Sequence, residues 1–460
     1  MPNNKINQNS VHLIGIGGIG LSALARYFLT QNWLVSGSDT VNSPLIQELR
    51  KEGVRIKIDP KTPSFGPKTS LIVHSQAIPS HDIEIRTAKA RKIPVLSYPE
   101  AVGFLTEKYR TIAIAGAHGK STTTAMVAEI FLKAKLDPTV IVGTKLKSLA
   151  GKNFRRGNSS WLILEADEFG GAFWHYSPAA AIISNIDKEH LDFYKNFNGV
   201  KKSFLRFIKN IQDGGLLILN QDDKNLFSLK NQIGKITKNR KIKTHWFSLA
   251  ADPLLSEKIS GLLKVPGRHN LSNALGSFVL AEALNIKKEN IFAGLKNYTG
   301  AWRRFEYKGK FKTQNSKLKI SVYDDYAHHP TEIKATLTGV KEKFPNSKII
   351  CIFQPHQAKR LKLLFQDFTE SFNEADVLIL LPSYQVAGRD NDNLRYDSEA
   401  LFKAIQKKNS KKEIYYLQSP VNLKKFLNSH LHKSALNPHK SAILIMMGAG
   451  NIADLTKELI

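Results

Sequence analysis

Two glycine-rich loops constrain the fold of this sequence more than any other feature. GIGGIG occupies residues 15–20 and GAHGKSTTT occupies residues 116–124. Each loop follows a run of apolar residues typical of a strand and precedes apolar spacing typical of a helix. A loop between a strand and a helix N-terminus presents backbone N–H groups to phosphate. The sequence therefore predicts two separate α/β domains, each with a site for a phosphate group.

The length of the chain, 460 residues, predicts more than one hydrophobic core. Residues 1–108 are predicted to form an N-terminal Rossmann-like domain, and residues 109–298 a central P-loop domain built on a parallel sheet. Residues 299–460 are predicted to form a C-terminal Rossmann-like domain, so the fold class is α/β throughout. The turn-rich segment KNYTGAWRRFEYKG is predicted to be the linker near residue 298.

Composition narrows the class of protein. Lys and Arg total 67 against 39 Asp and Glu, and the net charge of +28 would suit nucleic acid, an anionic membrane surface or phosphorylated substrates. No Arg-rich tail concentrates the basic residues, so we favour a solvated lysine-rich surface and no nucleic-acid partner. The absence of an apolar run of ~18 residues predicts no membrane insertion and a cytoplasmic location. Cys351, within KIICIF, is predicted to be a buried structural thiol.

The first loop has the spacing of a dinucleotide-type phosphate site. Its first glycine would allow a tight turn, its second glycine would let a pyrophosphate approach the backbone, and its last would let the helix pack close to the strand. A carboxylate at the end of the next strand would meet a ribose or a base edge. A nicotinamide dinucleotide and a UDP-sugar both fit this pattern. The candidate residues are Gly15, Gly17, Gly18, Ile19, Gly20 and Asp39.

The second loop predicts a nucleoside triphosphate site. Its backbone N–H groups would surround phosphate oxygens, Lys120 would neutralise the β- and γ-phosphates, and the Ser121 hydroxyl would bind Mg²⁺. Ile114 breaks the full G-x-x-x-x-G-K-[ST] pattern, so only G-x-x-G-K-S remains between the strand and the helix. The candidate ATP-binding residues of this loop are Gly116, Ala117, His118, Gly119, Lys120, Ser121 and Thr122.

Acidic and imidazole side chains follow two strands of the same domain. EADE contributes Glu165, Asp167 and Glu168, and NIDKEHLD contributes Asp187 and His190. The carboxyl ends of parallel strands meet at one edge of a sheet, where metal-assisted phosphoryl transfer would need such ligands. A single acidic residue there is more often a helix cap, but two clusters favour a metal site.

A series of motifs resembles a known family. In chain order the sequence contains GAHGKSTTT, EADE, SNIDKEH, VPGRHNLSNA, WRRFE and DDYAHHPTE. Their order and approximate spacing are similar to those of the Mur ligases, the ATP-dependent amide-forming enzymes of peptidoglycan precursor synthesis. The resemblance spans nearly the whole chain. VHLIGIGGIGLSALA, GKNFRRG, FQPH and MGAGNIADL are most similar to the member that joins L-alanine to UDP-N-acetylmuramate.

The resemblance implies a reaction and its substrates. UDP-N-acetylmuramate would bind at the first loop and ATP at the second. The lactyl carboxylate of the sugar would attack the γ-phosphate, and the amino group of L-alanine would attack the resulting acyl phosphate. Lys120 would stabilise the transferring phosphoryl group, Ser121 and Glu165 would hold one Mg²⁺, and His190 would hold a second. Lys120, Glu165 and His190 are therefore the implied catalytic residues.

The resemblance also implies roles for residues near and beyond the linker. Asn270 and Asn273 would read the adenine, although helix capping is an alternative that explains Asn270 better. Arg304 would reach the γ-phosphate and Asp325 the ATP ribose, so that closure of the domains would complete the site and exclude water. The residues implied to contact the incoming amino acid are Tyr326, His328 and Arg360, with a surface pair of His328 and His329 as an alternative.

Two positions depart from the pattern of the alanine-adding enzyme. Phe169 and Gly170 follow EADE where Ser-Asp is usual, and Gln357 stands where FQPH is usually followed by arginine. The effect of these departures on acceptor specificity stays open.

Three alternatives stay open at this point. A relative that ligates recycled murein tripeptide to the same UDP-sugar shares the first loop and the ATP chemistry, although GIGGIGLSALA and FQPH favour the alanine enzyme. A nicotinamide dehydrogenase would use GIGGIG but leave GAHGKS and EADE without a role. A nucleic-acid-stimulated ATPase would use the +28 charge. Monomer and homodimer are equally compatible with the sequence.

Overall fold

The computed structural model describes residues 9–311, 320–384, 396–410, 412–430 and 441–460. The chain divides into two compact units. The first unit contains Met1–Leu263 and Leu271–Tyr298, and the second contains Lys264–Asn270 and Thr299–Ile460. The domain boundaries at residues 108 and 298 stay predictions.

The first unit begins with a parallel sheet. In the described residues its strand order is β3-β2-β1-β4-β5, and all four neighbouring pairs are parallel. The strands are β1 Ser10–Ile14, β2 Leu34–Asp39, β3 Arg55–Ile58, β4 Leu71–His74 and β5 Val95–Ser97. The helices are α1 Ile19–Thr30, α2 Pro44–Lys51, α3 Ile83–Ala90 and α4 Tyr98–Lys108. Because β1 lies between β2 and β4, GIGGIG leaves the sheet where the strand order reverses, which is the usual ligand crevice of such sheets.

A second sheet of the first unit carries the second loop. The described strands are ordered β12-β11-β10-β6-β9-β7-β8. They are β6 Arg110–Ala115, β7 Thr139–Leu146, β8 Lys152–Arg155, β9 Trp161–Glu165, β10 Ala180–Ile183, β11 Leu216–Asn220 and β12 Lys243–Phe247. The other described pairs of this sheet are parallel, as predicted, and β8 at its edge pairs antiparallel with β7. The loop follows β6, and the two acidic segments follow its neighbours β9 and β10.

The helices of this region surround the second sheet. They are α5 Lys120–Lys133, α6 Leu191–Tyr194, α7 Phe197–Lys209, α8 Lys224–Phe227, α9 Lys230–Asn239, α10 Pro253–Leu262, α11 Arg268–Ala283 and α12 Lys288–Asn297. Short 3-10 segments occur at Lys147–Leu149 and Phe169–His175. None of the helices in the described ranges has both the length and the apolar character needed to cross a membrane.

The two sheets of the first unit share one hydrophobic cluster. It includes Leu24 and Tyr27 of α1, Phe154 of β8 and Phe173 of the segment after β9. The Tyr27 and Phe154 rings meet edge to face with their centroids 6.3 Å apart. This shared apolar packing is the reason that the first two predicted domains form a single compact unit.

A buried polar contact also joins the two sheets. Asn153 of β8 is fully buried and donates from Nδ2 to the Ile19 carbonyl at 2.5 Å and to Ser22 Oγ at 2.9 Å. Its Oδ1 accepts a hydrogen bond from the buried guanidinium of Arg26. The Arg26 Nε donates in turn to Glu52 at 2.9 Å. Asn153 thus ties the central sheet to the first turn of α1, directly after the GIGGIG loop.

Replacing Asn153 with alanine is expected to destabilise the first unit. The variant leaves one acceptor of the buried Arg26 missing, and an unsatisfied buried group costs ~2 kcal/mol. Urea unfolding should therefore show a lower free energy of unfolding for Asn153→Ala. Asn231→Ala, an exposed change on α9, is the matched control and should stay within ~0.5 kcal/mol of the parent. Equal unfolding midpoints for both variants would contradict the proposed role of this contact.

The second unit contains a third sheet. Its described strands are ordered β13-β14-β18-β15-β16-β17. They are β13 Glu306–Phe311, β14 Ile320–Asp325, β15 Lys348–Phe353, β16 Val377–Leu380, β17 Glu413–Tyr416 and β18 Ala442–Met447. The helices are α13 Pro330–Lys343, α14 Ala358–Leu363, α15 Phe365–Thr369, α16 Ser398–Lys408, α17 Leu423–His430 and α18 Ile452–Leu459, with a 3-10 turn at Pro420–Asn422.

Two predictions can be compared with this sheet. The last four residues of the predicted linker KNYTGAWRRFEYKG instead begin β13, an antiparallel edge strand with mostly exposed or partly buried residues. The prediction of a buried Cys351 is confirmed, because its side chain, on β15, is fully buried in the core of the second unit. Burial raises the pKa of this thiol well above its ordinary value.

Candidate active site

The second loop is shaped by two glycines with positive φ. Gly116 has φ +143° and Gly119 has φ +80°. A Cβ added at Gly116 would lie 2.1 Å from Ser184 Oγ, and one added at Gly119 would lie 2.6 Å from Asn273 Oδ1. Glycine is therefore required at both positions by backbone conformation and by the close approach of side chains from other elements.

Asn185, which was not among the predicted site residues, holds the loop in place. Its Oδ1 accepts from the His118 N–H at 2.8 Å, and its Nδ2 donates to the His118 carbonyl at 2.9 Å. Its own carbonyl accepts from the Ala117 N–H at 3.2 Å. The His118 ring also lies 3.0 Å from Asp187 Oδ2 through its Nε2. The segment after β10 therefore fixes the loop, and the position of Asn in SNID is the sequence signal for it.

Lys120 lies at the centre of a cluster of oxygen atoms. Its Nζ donates to the Gly116 carbonyl at 2.8 Å and to Glu168 Oε2 at 2.7 Å, and it lies 3.5 Å from Asp167 Oδ1. Burial opposes the charged form, but the Glu168 and Asp167 carboxylates outweigh it and raise the pKa of Lys120 above its ordinary value. A permanent positive charge therefore stands at the loop.

Glu165 and Ser121 meet beside this charge. Ser121 Oγ donates to Glu165 Oε1 at 2.9 Å, and the Gly143 N–H of β7 donates to Glu165 Oε2 at 2.6 Å. A Cβ at Gly143 would lie 2.8 Å from Glu165 Oε1, so a larger residue would displace the carboxylate. Burial raises the pKa of Glu165. A glycine inside a strand gave little sign in the sequence that it would support this carboxylate.

Three further ligand-type side chains gather near Lys120. One ligand atom from each of Asp167, Glu168 and His190 lies within 4.8 Å of the others. Burial raises the pKa of Glu168, while the Lys120 ammonium, which donates to Glu168 Oε2 at 2.7 Å, acts in the opposite direction and favours the carboxylate. In the described part of the chain, the buried Oε1 of Glu168 makes no hydrogen bond. The Phe169 ring packs edge-on against the His190 ring, with the two ring centroids 4.9 Å apart. Phe169, which stands where serine is usual in the alanine-adding enzyme, therefore supports the His190 ring.

The first loop makes its tight turn at Gly15, which has φ +80°. The Gly15 and Ile16 N–H groups both donate to the Ser38 carbonyl, at 2.8 and 3.1 Å. Asp39 Oδ2 accepts from the Gly17 N–H at 2.8 Å, and a Cβ at Gly17 would lie 2.8 Å from that oxygen. Asp39 thus braces the loop itself, and its contact with a ribose or base stays a prediction. Gly18 is the residue before α1, which Ile19 begins.

Gly20 contacts a residue that the sequence did not predict to lie beside it. The last glycine of the loop was predicted to let the helix pack close to the strand. The space left by its missing Cβ is instead filled by the Tyr98 ring of α4. A Cβ at Gly20 would lie 2.7 Å from Tyr98 Cζ. The helix of the first loop is therefore in direct contact with the first residue of α4.

The two asparagines of α11 have different surroundings. Asn270 Nδ2 donates to the Pro266 carbonyl at 2.6 Å, which is a local contact at the start of the helix and agrees with the capping alternative. Asn273 has its amide against Gly119 of the second loop. Contact of either side chain with adenine stays a prediction.

The two adjacent arginines of the second unit have separate environments. Arg303 is buried and donates to the carbonyls of Gly448 and Gly450, so it has a structural role. Arg304, the residue predicted to reach ATP, is half-buried, with its guanidinium 5.1 Å from the centroid of the Tyr326 ring and 3.7 Å from Glu332.

Asp325 ends β14 with both carboxylate oxygens engaged. Oδ2 accepts from the Phe305 N–H and Oδ1 from the Ala327 N–H, each at 2.8 Å. Burial raises the pKa of Asp325 to about 6, although these hydrogen bonds act in the opposite direction. A role for this carboxylate at the ATP ribose stays a prediction.

The residues predicted to contact the amino acid lie at strand ends of the second unit. The Tyr326 and His328 rings meet edge to face at 5.2 Å, and His328 lies 6.1 Å from the His356 ring that follows β15. His329 is buried and caps α13, so it does not form a surface pair with His328. Arg360 lies on α14, which begins directly after Gln357. Gln357 has a φ of +65°.

The chain is similar to known proteins along its length. Residues 10–110 match the family model described as "Mur ligase family, catalytic domain". Residues 114–281 match the model described as "Mur ligase middle domain", and residues 303–449 match the model described as "Mur ligase, glutamate ligase domain". The UDP-N-acetylmuramate–L-alanine ligase of Clostridium perfringens is 37% identical over 96% of this chain and 95% of that protein. The enzyme of the same name from Clostridium beijerinckii is 37% identical over 97% and 96%.

A solved structure extends this similarity to the fold. The UDP-N-acetylmuramate-alanine ligase of Thermotoga maritima superposes with a TM-score of 0.74, at 25% identity, and the match covers 98% of both chains. Family models thus match all three sheet regions, and relatives align over nearly the full length. This chain belongs to the Mur ligase family.

Proposed function

We propose that this chain joins L-alanine to the lactyl carboxylate of UDP-N-acetylmuramate in an ATP-dependent reaction that forms an amide and releases ADP and phosphate. The relatives aligned over 96% and 97% of its length carry that activity in their names. One observation carries the proposal. Lys120, which pairs with Glu168, and the Ser121–Glu165 hydrogen bond lie together at the N-terminal end of α5. The proposed location is the cytoplasm, where ATP and UDP-sugars are available.

The chemistry explains why a fixed positive charge is needed. A carboxylate becomes an acylating agent only when phosphate can act as its leaving group, so the lactyl oxygen attacks the γ-phosphorus and ADP departs. The amino group of L-alanine then attacks the acyl carbon, and phosphate leaves as the amide forms. Two anions must approach each other in the first step. Lys120 lowers the energy of that approach by holding positive charge beside the transferring group.

The residues at the loop fit Mg²⁺. Hydroxyl and carboxylate oxygens are the ligands that this ion prefers, and Ser121 Oγ and Glu165 Oε1 lie 2.9 Å apart. We infer that these two residues hold one ion and that His190 holds a second with oxygens of the adjacent carboxylates. The buried Glu168 Oε1, which lacks a hydrogen bond among the described residues, supports a cation there. Bound Mg²⁺ would neutralise charge on the phosphate oxygens.

The two loops suit the two nucleotides. The first turn of α5 presents the N–H groups of Lys120, Ser121 and Thr122 to the ATP phosphates, because the Ala117 and His118 N–H groups are occupied by Asn185. The N-terminus of α1 suits the pyrophosphate of UDP-N-acetylmuramate in the same way. We assign the amino acid to Tyr326, His328 and Arg360 of the second unit.

A phosphate-release assay tests the proposal. The enzyme is supplied with ATP, Mg²⁺ and UDP-N-acetylmuramate, and L-alanine, glycine, L-serine or the murein tripeptide is added in turn. L-Alanine should give the highest rate of phosphate release, with a ligated product of the matching mass. Release with the tripeptide but not with L-alanine would replace the proposal with the recycling reaction.

Arg360 provides a test of how the acceptor is bound. The carboxylate of L-alanine needs a cation, and an arginine fork supplies two parallel charge-assisted hydrogen bonds. Because Gln357 brings no charge, we expect Arg360 to carry this carboxylate alone. Arg360→Ala should raise the KM for L-alanine by roughly ten- to a hundredfold and leave the KM for ATP nearly unchanged.

Two comparison variants sharpen the Arg360 test. Lys407→Ala removes an exposed positive charge from α16 of the same unit and should leave the KM for L-alanine unchanged. Gln357→Arg restores the usual arginine of the family pattern and should lower that KM. An unaltered KM for L-alanine in Arg360→Ala would show that another group binds the carboxylate.

A further inference from the structure

Tyr98 occupies a position between the two phosphate-binding loops. It is the first residue of α4, and this helix packs on α1 after the first loop and on the Phe169–His175 segment after the EADE strand. Gly103 of α4 approaches that segment so closely that a Cβ there would lie 2.6 Å from the His175 carbonyl oxygen. All of these elements belong to the first unit. The N-terminus of α4 therefore lies where the two halves of the unit meet.

The Tyr98 ring lies directly on the helix N-terminus expected to bind the sugar nucleotide. A Cβ at Gly20 would stand 2.7 Å from Tyr98 Cζ and 3.0 Å from its hydroxyl oxygen. Gly20 is the second residue of α1, so the phenol end of the ring rests on the turn whose N–H groups are available to a ligand. The contact is with the hydroxyl end of the ring, which apolar packing alone would not require.

The same hydroxyl is close enough to the metal-binding carboxylates to feel their charge. Burial, and then the charges of Glu165 and Asp167, raise the pKa of Tyr98 well above its ordinary value. The phenol is therefore a protonated O–H donor at neutral pH. Among the described residues it makes no hydrogen bond, although the half-buried ring is packed against the core of the first unit. The hydroxyl oxygen is not among the fully enclosed polar atoms of the described residues, so a ligand can reach it.

We propose that the Tyr98 hydroxyl is a substrate-binding group, which donates a hydrogen bond to an anionic oxygen of UDP-N-acetylmuramate between the first loop and the Glu165 side of the second. The inference rests on the proposed function and adds a residue to it. Both the pyrophosphate and the lactyl carboxylate of this substrate are anionic acceptors. The hydroxyl would orient the sugar nucleotide so that its carboxylate faces the γ-phosphate.

The test uses Tyr98→Phe, which keeps the ring on Gly20 and removes only the hydroxyl. Steady-state kinetics with ATP, UDP-N-acetylmuramate and L-alanine should show a KM for the sugar nucleotide raised by about ten- to a hundredfold, since a hydrogen bond to a charged group is lost. The KM values for ATP and L-alanine should stay within about twofold of the parent. Tyr307→Phe, at an exposed tyrosine of β13, is the matched control and should match the parent in every constant.

Binding measurements identify the acceptor and separate the two proposals. Titration calorimetry with UDP alone should show a weaker affinity in Tyr98→Phe if the acceptor is the pyrophosphate. An unchanged affinity for UDP with a weaker one for UDP-N-acetylmuramate assigns the lactyl carboxylate. An unchanged KM and affinity for UDP-N-acetylmuramate would overturn the inference about Tyr98. Failure of the parent enzyme itself to release phosphate with L-alanine would instead refute the proposed function.

Discussion

Lys120→Ala is expected to lower the rate of amide formation by ~10³-fold or more while UDP-N-acetylmuramate still binds. The Lys120 ammonium is the cation at the centre of the second loop, and it is held there by the Gly116 carbonyl and the Glu168 carboxylate. Without it, negative charge on the transferring phosphoryl group would face Glu168 and Asp167 with no compensation. The sugar nucleotide is assigned to the other loop, so its affinity should not depend on this charge.

The measurement combines single-turnover kinetics with isothermal titration of the sugar nucleotide. Lys133→Ala is the matched control, because Lys133 is the exposed last residue of the same helix, α5. That variant should retain the parent rate. Loss of UDP-N-acetylmuramate binding in Lys120→Ala would contradict the assignment of the two loops to two nucleotides.

The sequence predicted the features that depend on local pattern. Each phosphate loop is encoded by neighbouring residues, because a buried strand, a glycine with positive φ and a helix start follow one another directly. Gly15 and Gly119 have the conformation that this pattern requires. The buried position of Cys351 was predictable for the same reason, since the short, β-branched apolar run around it is typical of a fully buried strand.

The sequence did not reveal contacts between distant segments. Asn153 binds the Ile19 carbonyl across 134 positions of the chain, and no periodicity encodes such a pairing. Gly143 and Tyr98 were missed because a glycine in a strand and an aromatic at a helix start have common structural explanations. Their relevance follows only from the Glu165 carboxylate and the Gly20 backbone that they meet.

Two edge strands, β3 and β13, carry little sequence signal for a related reason. Most residues of β3 and β13 are exposed or partly buried, and both strands contain charged side chains. A strand with one neighbour needs little apolar surface, because only one of its faces is covered and its outer edge stays in solvent. β3 and β13 therefore lack the apolar pattern that marks a buried strand in the sequence.

Glu165→Gln is expected to weaken the dependence of turnover on Mg²⁺ and to reduce the rate by on the order of 10²-fold or more at ordinary Mg²⁺ concentration. The amide has nearly the same shape as the carboxylate, so the packing against Ser121 and Gly143 is preserved. The negative charge that attracts the cation is removed. The apparent affinity for Mg²⁺ should fall, and raised Mg²⁺ should restore part of the rate. His190→Ala should show the same recovery, because His190 is assigned to the second ion.

The Mg²⁺ titration also separates a ligand from a residue that only supports the fold. Loss of a supporting residue lowers the amount of active enzyme by the same factor at every Mg²⁺ concentration, whereas loss of a ligand shifts the titration midpoint. Glu107→Gln, an exposed change on α4, controls for the loss of one negative charge and should titrate like the parent. Identical Mg²⁺ midpoints for Glu165→Gln, His190→Ala and the parent would show that the cation binds elsewhere, and the roles of Ser121 and Glu168 would then have to be reassigned as well.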